Sequence, residues 1–145
     1  MKIPKIAERF LEKQLSRCGV DFFDVYMLHW LNEVNYINAE ICGGFEFLEE
    51  LKSEGKILKS GFSFHDSPEL LDEILSKHPE IDYVQLQINY LDWESPAFRA
   101  KECYEIARKH GKEIIVMEPI KGGTLANLPP EAKEIFSENR ISAAS

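Results

Sequence analysis

The sequence predicts an α/β fold built on a parallel sheet. Three observations predict it: four short runs rich in β-branched and aromatic residues, longer stretches of helical period between them, and strand-to-strand spacings of roughly 25 to 33 residues, the length of a βα unit joined by right-handed crossovers. The runs are Asp24 to His29, Ile57 to Phe62, Tyr83 to Gln87 and Glu113 to Met117. Each is too short for a helix and rich in strand formers. YVQLQI and EIIVM show strands apolar on both faces apart from Gln85 and Gln87, as helix-covered parallel strands should be. A glutamine in such a place needs a partner or a ligand.

The helical stretches follow in order. Lys5 to Cys18 places Ile6, Phe10, Leu11 and Leu15 on one face and stops at Gly19. Ala39 to Glu54 ends at Gly55, Pro68 to Lys77 ends before Pro79, and Pro96 to His110 ends at Gly111. Ser67 before Pro68 and Ser95 before Pro96 repeat one start signal, a hydroxyl to cap the first free N–H groups and a proline at the first helical position. His78 and His110, at helix ends, are expected to interact with the C-terminal dipole.

Composition limits the functions open to the chain. Its 145 residues, 44% hydrophobic and 29% charged, read as one globular domain, residues 1 to 145, with one core. No apolar run reaches the about 18 residues of a membrane span, and the opening MKIPKIAERF is charged too early for a signal peptide, so a cytoplasmic address is expected. Cys18, Cys42 and Cys103 form no C-x-x-C pair, which points to buried thiols rather than a disulfide framework or zinc site. No histidine, cysteine or carboxylate cluster has metal-ligand spacing. With 17 basic against 25 acidic residues, the net charge of -8 argues against nucleic acid as a partner.

Periodicity leaves two architectures open, a doubly wound sheet of about four strands or an arc of an eight-stranded barrel that normally needs about 250 residues. Residue identity at the strand ends separates them. The stretch FLEKQLSRCGVDFFDVYMLHW resembles the helix and fourth strand of the aldo-keto reductases. ILKSGFSFHD, IDYVQLQINYLD and KEIIVMEPIKGGTL resemble their fifth, sixth and seventh strands, in that order. GFSFH is similar to a bacterial and archaeal branch whose members often carry a ferredoxin-like cluster after the barrel. The ending ENRISAAS resembles the start of the seventh barrel helix. The resemblance therefore implies an internal fragment: a partial (β/α)8 barrel of strands four to seven, truncated at both ends.

It also implies a chemistry. Aldo-keto reductases reduce a small-molecule carbonyl with hydride from NADPH or NADH, using a tyrosine as general acid, a lysine and an aspartate that adjust it, and a histidine that orients the carbonyl. His29, closing the DVYMLH strand, matches the histidine; a neutral imidazole there can donate to developing oxyanion charge. Tyr26, Tyr36, Tyr83, Tyr90 and Tyr104 all fall away from the tyrosine's place in the pattern, so negligible turnover is expected of this chain alone. Ser63 and Gln85 match the residues that hold the nicotinamide carboxamide, with Asn89 as a pocket neighbour. On residue chemistry alone, Ser63 reads equally as a strand cap and Gln85 as a satisfied buried amide. Met117 stands where many members stack an aromatic ring, and its sulfur can pack on a ring face. Gly122 and Gly123 lie in the loop that passes the cofactor pyrophosphate in the family. Trp30 is a candidate substrate-pocket wall, and as good a core or interface residue. Two other classes of function stay open: a nucleotide-binding module without turnover, and a half-barrel that self-associates through its open sheet edges.

Overall fold

A computed structural model describes residues 5–139. The chain runs α1 (Lys5–Cys18), β1 (Phe23–Leu31), α2 (Glu33–Cys42), α3 (Gly44–Ser53), β2 (Ile57–Phe64), α4 (Pro68–Lys77), β3 (Tyr83–Gln87), α5 (Ala100–Lys109), β4 (Glu113–Met117), a 3₁₀ segment (Lys121–Ala126) and α6 (Pro130–Glu138). The four strands form one parallel sheet in the order β1-β2-β3-β4. All four expected strands are present; β1 and β2 each run two residues beyond their expected ends.

The core lies on one face of this sheet. Phe62, Val84 and Leu86 pack under Leu48, Leu51, Leu71, Ile74, Leu75 and Ala107 from the helices, all with at most 2% of their surface exposed. Burying a side chain of this size contributes about 1.5–3 kcal/mol, so these contacts dominate the sheet-to-helix packing. The opposite face carries no helix among the described residues. It is the face on which Gly61 sits, where an added Cβ would lie 2.8 Å from the Tyr83 carbonyl oxygen and 3.1 Å from Met27 Cγ. Only glycine lets the three strands approach this closely.

Several sequence expectations are corrected. Ala39 to Glu54 is two helices, because Gly43 adopts a left-handed conformation (φ 72°) that ends α2 and starts α3. The Ser67–Pro68 cap forms, with the serine accepting from Leu70 N–H. Ser95–Pro96 instead belongs to a turn: Ser95 accepts from Phe98 and Arg99 N–H, and Arg99 at φ 48° postpones α5 to Ala100. Helix α6 was not anticipated; it ends at Glu138, so the first two residues of ENRISAAS close a helix rather than open one, and the rest lie outside the described residues. Of the three thiols only Cys103 is buried; Cys18 and Cys42 end helices on their solvent sides. His78 and His110 do sit at helix C-caps, but carboxylates hold them: Glu40 and Glu80 for His78, Asp72 for His110. No described helix is long and apolar enough to cross a membrane.

Candidate active site

Parallel register decides which side chains meet. Met27 pairs with Gly61, Gly61 with Tyr83, Ser63 with Gln85, Gln85 with Ile115 and Gln87 with Met117. Paired residues point the same way and neighbours alternate, so Ser63, Gln85, Gln87 and Met117 share the helix-free face at the carboxyl ends of the strands. Leu28 pairs with Phe62 on the core side, which turns His29 toward the same helix-free face, where it is exposed. The structure therefore gathers five residues singled out in the sequence onto one rim.

The rim is shaped by a bulge in β1. Between Leu28 and Leu31 the register slips, and Trp30 takes φ 58°, a left-handed conformation that a bulky side chain rarely adopts. Both of its peptide groups are held: Trp30 N–H donates to Ser63 Oγ at 2.6 Å, and Asn35 Nδ2 donates to the Trp30 carbonyl at 2.8 Å. Leu31 then returns to the sheet opposite Phe64, its carbonyl accepting from His65 N–H at 2.9 Å. Ser63 thus has a structural task that its sequence position did not reveal. Its oxygen serves Trp30, while its hydroxyl hydrogen remains to donate to a ligand. The Trp30 indole is half-exposed and meets the His65 ring edge-on at 6.3 Å. Burial, then the neighbouring His29, hold His65 below its ordinary pKa, which keeps its imidazole neutral near pH 7.

Gln85 and Gln87 differ in what they find. Gln87 Nε2 donates to Asp92 Oδ2 at 3.0 Å, whereas the half-buried Gln85 amide has no hydrogen-bond partner among the described residues. Next to Gln87, Asp92 is 3% exposed and gathers Asn89 Nδ2 (2.9 Å) and Lys121 Nζ (2.7 Å). Burial alone would raise the Asp92 pKa, but Lys121, Asn89 and Gln87 together hold it below the usual carboxylate range. The Asn89 amide also reaches the Glu118 carbonyl at 3.3 Å, and its carbonyl accepts from Leu91 and Asp92 N–H. Asn89 is thereby placed as an organiser of the loops, with both ends of its side chain occupied. Gly122 and Gly123 follow Lys121 at φ 62° and 94°. Lys121 belongs to the loop after the seventh-strand resemblance, but its partner Asp92, which sequence reading passed over, lies 29 positions away, and only the loop fold joins them.

A cavity of about 490 Å³ lies between the loops after β2 and β3 and meets the rim at His65 and Gln87, its other walls including Phe64, Leu86, Phe98 and Cys103. His29, Ser63 and Gln85 do not line it. Burial pushes the Cys103 thiol up to about 11, so it is a protonated, unreactive wall.

The profile of the aldo/keto reductase family matches residues 2–142. The chain belongs to the aldo/keto reductase family. It is 28% identical over 122 residues to the NADH-specific methylglyoxal reductase of Escherichia coli (strain K12), covering 84% of this chain and 35% of that protein. Against the glyoxal reductase of Bacillus subtilis (strain 168) it is 27% identical over 117 residues, covering 79% and 37%. Among solved structures, an aldo-keto reductase from Bacillus halodurans in its holo form superposes with a TM-score of 0.65 at 26% identity, covering 85% of this chain and 38% of that one. An aldo/keto reductase from Klebsiella pneumoniae, in complex with NADP and acetate, superposes with a TM-score of 0.71 at 19% identity over 95% of this chain and 47% of that one, a likeness of fold. The chain spans about a third of the length of the curated relatives it matches.

For an aldo/keto reductase chain, the described residues therefore supply four parallel strands and one carboxyl rim of a barrel whose active sites gather at that end. Among the described residues no group of three or more histidine, cysteine or carboxylate side chains could hold a metal.

Proposed function

We propose that residues 1 to 145 form part of a nicotinamide-dependent carbonyl reductase, the part that orients the substrate carbonyl and holds the nicotinamide carboxamide. One observation carries the reading: Ser63 and Gln85 pair in register beside His29, with a free hydroxyl hydrogen and an unpartnered amide on the same rim. That donor and acceptor set fits a carboxamide, which offers one acceptor and two donors. A nicotinamide coenzyme would supply hydride. His29 would donate to the oxygen of a small-molecule carbonyl as charge builds there. Met117, beside Gln87, would pack against the ring face. One relative is named for NADH and one protein of like fold was solved with NADP, so both NADH and NADPH belong in the test. The relatives named for methylglyoxal and glyoxal point to small dicarbonyls as first substrates. A cytoplasmic site of action goes with such chemistry.

The tyrosines support low turnover by these residues alone. Tyr26 donates to Gln14, Tyr83 to Glu113 and Tyr90 to the Leu125 carbonyl, while Tyr36 is buried and Tyr104 packs on Trp93. A positioned general acid contributes about 10²–10⁴-fold, so reduction of methylglyoxal should stay near background. Enzyme-like rates from the pure chain would overturn this.

The deciding experiment is titration with NADPH and NADH, followed by fluorescence of Trp30 and Trp93. Saturable binding in the micromolar range, about -8 kcal/mol, that weakens on Gln85→Ala supports the reading. Absence of binding up to about 1 mM, about -4 kcal/mol, overturns it.

A second reading rests on the strand order. β1 and β4 are both edge strands, and nothing described covers the face between them. Unpaired parallel edges invite further strands, from the rest of a barrel or from a second copy. Light scattering decides for self-association: a dimer supports it, a monomer at about 100 μM overturns it.

A further inference from the structure

The loop after β4 holds a non-glycine residue at each of two left-handed positions, Glu118 (φ 55°) and Lys121 (φ 48°), followed at once by Gly122 (φ 62°) and Gly123 (φ 94°). Such conformations are unfavourable for residues with a Cβ and persist where the surroundings over-determine them. The surroundings here come from one neighbouring loop. Asn89 Nδ2 grips the Glu118 carbonyl at 3.3 Å, and the buried Asp92 carboxylate grips Lys121 Nζ at 2.7 and 3.0 Å. The two gripping residues are joined to each other at 2.9 Å, and Gln87, at the end of β3, completes the cluster. Lys121 Nζ also lies 4.8 Å over the Phe98 ring, so its stem is confined from a second side. Tyr90 fastens the far end of the same segment through its bond to the Leu125 carbonyl.

We infer that Asn89 and Asp92 are positioning residues that latch Glu118 and Lys121 in their strained conformation and so hold Gly122 and Gly123 ready for a phosphate-bearing ligand at the rim. Lys121 is spent as an internal counter-ion in this arrangement, and the ligand would be met by backbone, not by its ammonium. The latch accounts for a buried carboxylate that carbonyl chemistry does not need. It deepens the proposed function and rests on it for the identity of the ligand, a nicotinamide dinucleotide.

Hydrogen exchange and nucleotide titration test the two parts separately in the full chain. In Asp92→Asn and in Lys121→Met, backbone amides of residues 120 to 126 should exchange at least 10-fold faster while those of β2 stay unchanged. The double variant should add nothing further, and Lys121→Arg should restore protection. Unchanged exchange in the loop, or an equal rise throughout the sheet, overturns the latch. For NADPH, each single variant should raise Kd about 10-fold and Lys121→Arg should bring it back. Binding that is indifferent to both variants overturns the positioning role. If the wild-type chain itself fails to bind, the proposed function falls and with it the ligand, while the exchange result still decides the latch.

Discussion

At the amino end of the sheet, polar side chains are consumed by one another. Lys59 Nζ lies 2.5 Å from Glu113, Tyr83 donates to the same carboxylate at 2.8 Å, and Asp82 accepts from Ser60 N–H and Lys52. At the carboxyl end, Ser63 keeps a free hydrogen, Gln85 has no described partner and the neutral His65 stands beside an exposed His29. The strands are the same and the backbone spacing is the same; what differs is whether polar groups were placed to satisfy each other or to await something else. Unmet hydrogen-bonding capacity on a rigid scaffold carries a standing cost, and groups left ready for a partner are what a binding site presents.

The contrast can be broken or sharpened experimentally. The largest effect is expected from Phe62→Ala, which empties the core shared by both ends: a loss of about 3–5 kcal/mol, read as a fall in the urea midpoint, with both rims loosened together in hydrogen exchange. Asp82→Ala should cost about 1–3 kcal/mol, since the Ser60 N–H loses its acceptor, while nucleotide binding by the folded protein stays unchanged. Reduced binding at unchanged fold would show that the ends are not separate. Gln85→Ala should reverse the pattern, shifting stability by less than about 0.5 kcal/mol while weakening NADPH binding.

Acid should part the two ends in sequence. His65 has a lowered pKa in the fold, so its contribution is complete above the ordinary histidine value of about 6.5 and is lost as pH falls through the lowered one. Asp82 is lowered too, its hydrogen bonds from Ser60 and Lys52 outweighing burial, so its contribution is complete above the ordinary carboxylate value of about 3.9 and lost only below that. Chemical shifts at the carboxyl rim should therefore move as pH falls below the ordinary histidine value of about 6.5, with the amino end unaltered until stronger acid. Simultaneous change at both ends would contradict the division.

The sequence showed the strands well because each is a short apolar run bounded by breakers, and it showed the rim because His29, Ser63 and Gln85 stand at strand ends. Ser67–Pro68 was read correctly, yet the identical signal at Ser95–Pro96 was not a helix start. What separates them is Arg99: Glu69 and Glu102 bind its guanidinium at 2.6–2.9 Å, and Glu69 lies 30 positions away. Local pattern cannot register a partner that distant. The same reason hid the Asp92–Lys121 pair and the Trp30 bulge, whose clamp from Ser63 comes from 33 positions away. Gly43, which divides Ala39 to Glu54 in the fold, sits inside a stretch whose helical period looks continuous.

The polar belt across the amino end has one more consequence. Lys59, Tyr83 and Glu113 lie side by side on three successive strands, all on the helix-free face. A slip of any strand by a single residue would swing its member of this row to the core side, towards Leu48, Phe62 and Val84, where Lys52 and Asp82 already hold each other. Apolar residues on both faces of a parallel strand give weak guidance on register, since either face can be buried. The belt works as a ruler: three marks that line up in one arrangement only, so that the rim two to four residues further along each strand, about 7–13 Å at about 3.3 Å per residue, is assembled in step.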